Sequence, residues 1–440
     1  MLSRLHVRRA SLLALIAITA LVAVGCGSSK KSSSGGSSTS SSPATSTASA
    51  ATSTSAASGT PIKIGTLIPQ TGAGLNYPDW LAGANASVQA INAAGGVNGH
   101  KLDLIECDDQ NNPNQATSCG RTLLNDHVAI VAGGLSLFGT QIAQLLKAAH
   151  MSWFGALPIT VAEGQISNLY PFEAGYLGDY GPTGTWAKQD GYKSLAGLVL
   201  QGATGSGAAL ALKEGAKAAG IPYKGTVTVP ITATDYAPYV QKLEALHAQA
   251  VGTQLAAAQF LLLLQATTQA GATYHMYQPA VGIAPNIFAT LGKTAKVLSQ
   301  VTAVGSVPPA DTALESSYPG IKSYLADIKK YEAATHSKYA TSEYYTAGSI
   351  ISWAVMQYVA KIAKSIPSGT AVTTASFQAA LDKVGGLSAG VGPAWNPPPP
   401  AGPLSGAPRA TNLNEWAWSL KGGSYTLSHS QPLNAGQVLK

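Results

Sequence analysis

Gly202-Ala203-Thr204-Gly205-Ser206-Gly207 stands between an apolar run and a helix-like run, where glycines let a backbone cradle a pyrophosphate. A dinucleotide site of that kind also needs an acidic residue about 20 positions on for the ribose. Residues 223–233 hold none. Tyr318 and Lys322 have the Tyr-x-x-x-Lys spacing of short-chain dehydrogenases, but Pro319 and Gly320 between them are expected to break the helix that would put both on one face. Gly134-Leu135-Ser136-Leu137-Phe138-Gly139 has one residue too many for a nucleophile elbow. His100, His127, His150, His247, His275, His336 and His429 show no paired metal spacing. Asp108, Asp109, Asn111 and Asn112 occupy a strand-to-helix loop, where their side chains are expected to cap the next helix rather than form a metal or acid/base pair. Hydride transfer, acyl transfer and metal chemistry each lack a complete set of residues. No enzyme activity, cofactor or metal is expected, and an NAD(P)-dependent oxidoreductase remains a rival reading only.

The cysteines carry a different chemistry. Arg4, Arg8 and Arg9 precede an apolar stretch over 12–24 and small residues before Cys26, the pattern of a signal peptide over residues 1–25. That stretch is shorter than the ~20 residues that cross a bilayer. Ala23-Val24-Gly25-Cys26 resembles a bacterial lipobox, with Ala23 in place of the usual leucine. The resemblance implies that Cys26 is acylated and holds the chain on the outer face of the cytoplasmic membrane, in the cell envelope. A plain secretory signal is the alternative. Residues 26–60 are nearly all Ser, Thr, Ala and Gly, too poor in apolar surface to offset the entropy of ordering them. They read as a tether with a reach of about 30 Å. Cys107 and Cys119 remain, and an even remainder in an oxidising compartment favours a disulfide over two buried thiols.

The formal charge of +7 comes mostly from the ends: removing the three leader arginines and Lys30 and Lys31 of the tether leaves +2. No basic stripe with interleaved aromatics is present, which argues against nucleic acid as a partner.

The elements that position these residues alternate from residue 61 onwards. Strand-like runs at 63–69, 102–105, 129–132 and 152–156 interleave with helix-like runs at 79–94, 115–127 and 138–150. The rhythm restarts with strands at 194–200, 225–230, 250–253 and 273–277. The fold class is therefore α/β, with two Rossmann-like lobes whose parallel central sheets are joined by a multi-crossing hinge. We divide the chain into lobe one, 61–181; lobe two, 182–306; return helices over lobe one, 307–390; and a Pro-rich segment with closing strands near Trp416 and Trp418, 391–440. Facing lobes place the carboxyl ends of both sheets around one cleft, where a ligand binds.

Ile62-Lys63-Ile64-Gly65, the Thr71-Gly72 turn, the run INAAGGVNGHKLDLIECDDQNNPNQA over 91–116 and Gly181-Pro182-Thr183 together resemble the type I periplasmic binding proteins, specifically the branched-chain amino-acid (leucine/isoleucine/valine) class of ABC transporters. The resemblance implies a monomeric receptor that hands a small molecule to an ABC permease; a lipoprotein feeding a sensory receptor is the alternative. It also implies a carboxylate grip by strand-end hydroxyls, here Ser136 and Thr160, with Leu137, Phe138 and Ile159 beside them. Leu137 falls where a hydroxyl is common. Lobe two departs from the pattern: Thr204, Ala256 and Ala280 stand where two tyrosines and an ammonium-pairing glutamate are usual. Without that glutamate an ammonium would be desolvated unpaired, at a cost of several kcal/mol. The expected ligand therefore lacks a free ammonium: a carboxylic acid, an amide or an aromatic compound. Tyr77 and Trp80 are placed to form an apolar wall.

Overall fold

The computed structural model describes residues 57–438 apart from 73, 294, 397–403 and 405. The leader, Cys26 and most of the tether lie outside the described residues. The first series of elements is β1 (Gly59–Leu67), α1 (Pro78–Ala93), β2 (His100–Cys107), α2 (Pro113–Asn125), β3 (Ile130–Ala132), α3 (Gly139–Ala148), β4 (Trp153–Phe154), α4 (Val161–Gly164) and β5 (Leu169–Tyr170). These strands form a parallel sheet in the order β2-β1-β3-β4-β5. Two short helices follow, α5 (Tyr176–Tyr180) and α6 (Thr183–Gln189).

The second series is β6 (Leu195–Leu200), α7 (Ala203–Ala219), β7 (Tyr223–Val229), α8 (Ala237–Ala245), β8 (Ala250–Gln254), α9 (Ala257–Ala270), β9 (His275–Pro279), α10 (Ile287–Leu291) and β10 (Val301–Gly305). β7-β6-β8-β9-β10 repeats the strand order of the first sheet, again parallel. The order reverses at β1 and at β6, so each sheet opens a crevice at its strands' carboxyl ends. β6 and β8 are buried at every position, as strands covered on both faces must be.

α11 (Pro319–Thr335), α12 (Ala347–Lys364) and α13 (Thr374–Leu381) come next, and α12 packs along α1 of the first series. Approach there is close: a β-carbon on Gly83 would overlap Ser349, and one on Gly348 would overlap the Trp80 ring. The chain then returns as β11 (Asn414–Lys421), β12 (Ser424–Leu427), β13 (Leu433–Asn434) and α14 (Ala435–Val438). β11 pairs antiparallel with β10, placing Trp418 opposite Ala303. The chain thus passes between the two sheets three times, after β5, after β10 and between Trp395 and β11.

Two local expectations change. Pro319 and Gly320 do not break a helix; they open α11, with Tyr318 as its N-cap and proline in the first turn, where its missing N–H costs nothing. The glycines of 202–207 likewise start α7, and Gly205 is pressed against the Leu200 carbonyl. Of the four loop side chains expected to cap α2, Asp108 and Asp109 do not. Asn112 does, accepting from Asn114 N at 2.9 Å and Gln115 N at 3.2 Å, while Asp108 accepts from Gln70 N (2.9 Å) and Thr71 Oγ1 (2.6 Å) and ties down the loop after β1. Cys107 and Cys119 are bonded, joining the end of β2 to α2.

Candidate functional site

The residues named from the sequence follow the carboxyl ends of parallel strands, Tyr77 as the N-cap of α1 and Thr204 in the first turn of α7, but the hydroxyls of Ser136 and Thr160 are already engaged. The Ser136 hydroxyl donates to the Asp109 carboxylate and accepts from Phe138 N at 3.0 Å. Asp109 is buried, and burial pushes its carboxyl above the usual range despite that bond. Thr160 donates its hydroxyl to Glu163 Oε2 at 2.8 Å, and the same oxygen accepts from Thr160 N (2.9 Å) and Ile159 N (3.1 Å). Burial pushes Glu163 up to about 7. Thr140 Oγ1, 3.2 Å from Thr160 Oγ1, links the first turn of α3 to the loop after β4.

The second series faces these loops at short range. The position of a β-carbon on Gly74 is 2.8 Å from Ile231 Cδ1, and one on Gly207 would stand 3.7 Å from Val161 Cγ2. The crevice is therefore closed at both places. Thr204, Ala256 and Ala280 are buried, and the Ala280 methyl packs against Gly305. Tyr77 stacks on Trp80 with centroids 4.8 Å apart, and both rings are buried. Burial, with Asp79 and Asp179 nearby, pushes the Tyr77 hydroxyl pKa up.

A separate space, partly open to solvent, lies beside the second passage. A cavity of about 310 Å³ is bounded by Ile283 and Pro285 after β9, Asp311 on the second passage, Tyr345 just before α12, and Trp418 and Tyr425 of the β11–β12 hairpin. That size suits a small organic molecule. Its aromatic edge is ordered: Trp418 and Tyr425 lie 5.8 Å apart at 58°, and Tyr345 meets Tyr324 edge-on at 5.7 Å. Thr346 at its lip is fixed from α1, because Asp79 Oδ2 accepts from Thr346 N and Oγ1, both at 2.8 Å, and Trp80 Nε1 donates to Thr346 Oγ1 at 3.2 Å. Burial pushes Asp79 up to about 6. Among the described residues, no lysine, arginine or histidine lines the cavity, and Asp311 is its only carboxylate. Asp311 is itself employed as a cap, accepting from Ala313 N at 2.9 Å.

Comparison with known proteins now decides the family, since the periplasmic binding protein profile matches residues 61–401. The chain belongs to the periplasmic binding protein family. Among curated relatives, a leucine-, isoleucine-, valine-, threonine- and alanine-binding protein of Pseudomonas aeruginosa is 40% identical over 83 residues, 19% of this chain and 22% of that protein. A Leu/Ile/Val-binding protein of Escherichia coli is 35% identical over 83 residues, 19% of this chain and 23% of the relative. The chain thus matches less than a quarter of the length of these relatives. Over the whole fold, a fatty acid ABC transporter substrate-binding protein from Thermomonospora curvata superposes with a TM-score of 0.71 at 17% identity, covering 86% of this chain and 94% of the other. A solute-binding protein from R. palustris in complex with 4-hydroxybenzoate gives a TM-score of 0.68 at 18% identity, covering 86% and 97%.

Within this periplasmic binding protein, none of the nine residues named from the sequence lines the cavity. Tyr77 reaches it only through Trp80 and Thr346, and Ala280 lies three residues before Ile283 on the same loop. The signals in the sequence for this lining are Thr346, a hydroxyl directly before a long apolar helix, and the Trp416–Trp418 alternation. The rival dinucleotide reading fails on geometry: Ser206 Oγ bonds Gly202 O at 3.0 Å within the helix start, and Gly205 is packed against backbone.

Proposed function

We propose that this protein captures a small aromatic or amide-bearing solute without a free ammonium and presents it to an ABC permease, working as a binding protein without catalysis. The observation that carries the reading is the partly open cavity of about 310 Å³, aromatic on one side and, among the described residues, lined by no basic side chain. Two further observations support it. The strand-end hydroxyls that would hold an amino acid's carboxylate are engaged with Asp109 and Glu163, and Ala280 offers nothing to an ammonium. A zwitterion is poorly served at both ends. The leader and Cys26 fit a chain exported and held by lipid at the outer face of the membrane, as a monomer with lobes divided at about the boundaries given above.

A thermal-shift and calorimetric screen tests this. Benzamides and uncharged phenols at about 100 times their Kd should stabilise the protein by ~2.7 kcal/mol through mass action. Leucine or valine binding at micromolar strength, with the uncharged compounds silent, would reject the assignment.

A further inference from the structure

Glu173, Asp179 and Glu415 meet where the chain passes between the sheets. Glu173 follows β5 on the first passage, Asp179 lies in α5, and Glu415 opens β11 after the third. Their exposures are 2%, 6% and 0%. Neither Glu415 oxygen has a hydrogen-bond partner among the described residues, and Oε1 packs against Gly178, next to Asp179. A second orphan comes from the remaining passage. Gly305 pairs with Trp416 in the last rung of the antiparallel ladder, and Ser306 and Glu415 are the chain neighbours of that pair. Ser306 is 1% exposed, and its hydroxyl also has no partner among the described residues.

Among the described residues no cation is seen to pair with these acids. Tyr77 and Tyr180, which stand by Asp179, are themselves acidic groups. Arg409, the basic residue of the third passage, lies over the Tyr170 ring at 4.1 Å instead. From β13, Leu433 faces Glu415. An ionised carboxylate out of water with no cation is costly, so such groups keep their protons, and each one ionised makes the next harder to ionise. Burial, then mutual repulsion, pushes Glu173 and Glu415 well up, and burial pushes Asp179 up to about 7.

We propose that closing of the two lobes takes up protons at Glu173, Asp179 and Glu415, so that pH sets the balance between closed and open forms. Opening turns the lobes about these passages and lets water reach the carboxylates, which then ionise. The closed form holds more protons, so closure is favoured at low pH and weakened as pH rises through about 7, the value to which Asp179 is pushed. The device rests on the reading of two lobes that close on a solute.

Small-angle scattering of the purified full chain at pH 5 and pH 8 tests it. The radius of gyration should be larger at pH 8, the difference should fall by at least half in Glu415→Gln and in Glu173→Gln, and Asp235→Asn, altering an exposed helix-start carboxylate, should leave it unchanged. Unaltered melting temperature of either glutamine variant at pH 5 confirms that it folds. A radius independent of pH in the unsubstituted chain, or equal responses in all three variants, overturns the proposal. Failure of the solute reading is seen separately, as a screen without any binder; failure of the proton device leaves a binder that compacts the chain equally at both pH values.

Discussion

The loops at the strand ends of the first sheet and the passages between the sheets both bury carboxylates, yet they treat them in opposite ways. Asp109 and Glu163 receive hydrogen bonds from Ser136, Asn111, Ile159 and Thr160, and they knit the loops after β2, β3 and β4 into one rigid surface. Glu415 receives none among the described residues, and Glu173 and Asp179 stand beside it without a cation. A satisfied buried acid fixes a shape, because breaking its bonds strands it. An unsatisfied one stores a cost that a rearrangement can relieve. The first region therefore reads as the fixed jaw of the clamp and the second as its joint.

The largest effect that sharpens this contrast is expected in the fixed jaw. Cys107 and Cys119 close a short loop, 12 residues apart, that ties β2 to α2 directly beneath Asp108 and Asp109. Replacing both by serine should cost about 3 kcal/mol by denaturant titration, as removal of such a staple does. Two titratable thiols in the unreduced, denatured parent chain would show that no bond was there to lose. On the joint side, Trp418→Ala removes the aromatic floor of the cavity, and solute affinity should drop by about 2 kcal/mol, roughly 30-fold, as for a buried aromatic anchor. Ser136→Ala should leave affinity within about threefold, since its hydroxyl is spent on Asp109. If Ser136→Ala proves the more damaging, the solute sits at the strand ends and the comparison inverts.

This division also explains which parts could be read from the sequence. The alternation of apolar runs and Gly95-Gly96, both at positive φ, announce two repeated α/β series because strand and helix periods are local properties. Proline 319 misled because proline ends a helix from inside but begins one at its first turn, and only the three-dimensional start of α11 tells which applies. Ser136 and Thr160 were placed at the correct strand ends. Their partners were not legible, because Asp109 is 27 residues from Ser136 and reaches it only through the sheet order. The cavity was less legible still: Ile283, Tyr345 and Trp418 come from three distant stretches that converge only after the last passage adds β11 to the second sheet.

The smallest effect bears on whether the jaw is as fixed as its bonds suggest. Thr160→Ala removes the hydroxyl from Glu163 but leaves the two backbone N–H donors in place, so the loss should be that of a helix cap, about 1 kcal/mol. The pH dependence carries a sign. Glu163 titrates higher in the folded chain, at about 7, than in the unfolded one, so its contribution is fully present below the unfolded value and is lost as pH rises through about 7. Glu163→Gln, which cannot ionise, should flatten the fall of melting temperature between pH 5 and pH 8 without altering the scattering change assigned to Glu415. Were Glu163→Gln to abolish that scattering change as well, the two sets of acids would be one coupled system, and the distinction between jaw and joint would not hold.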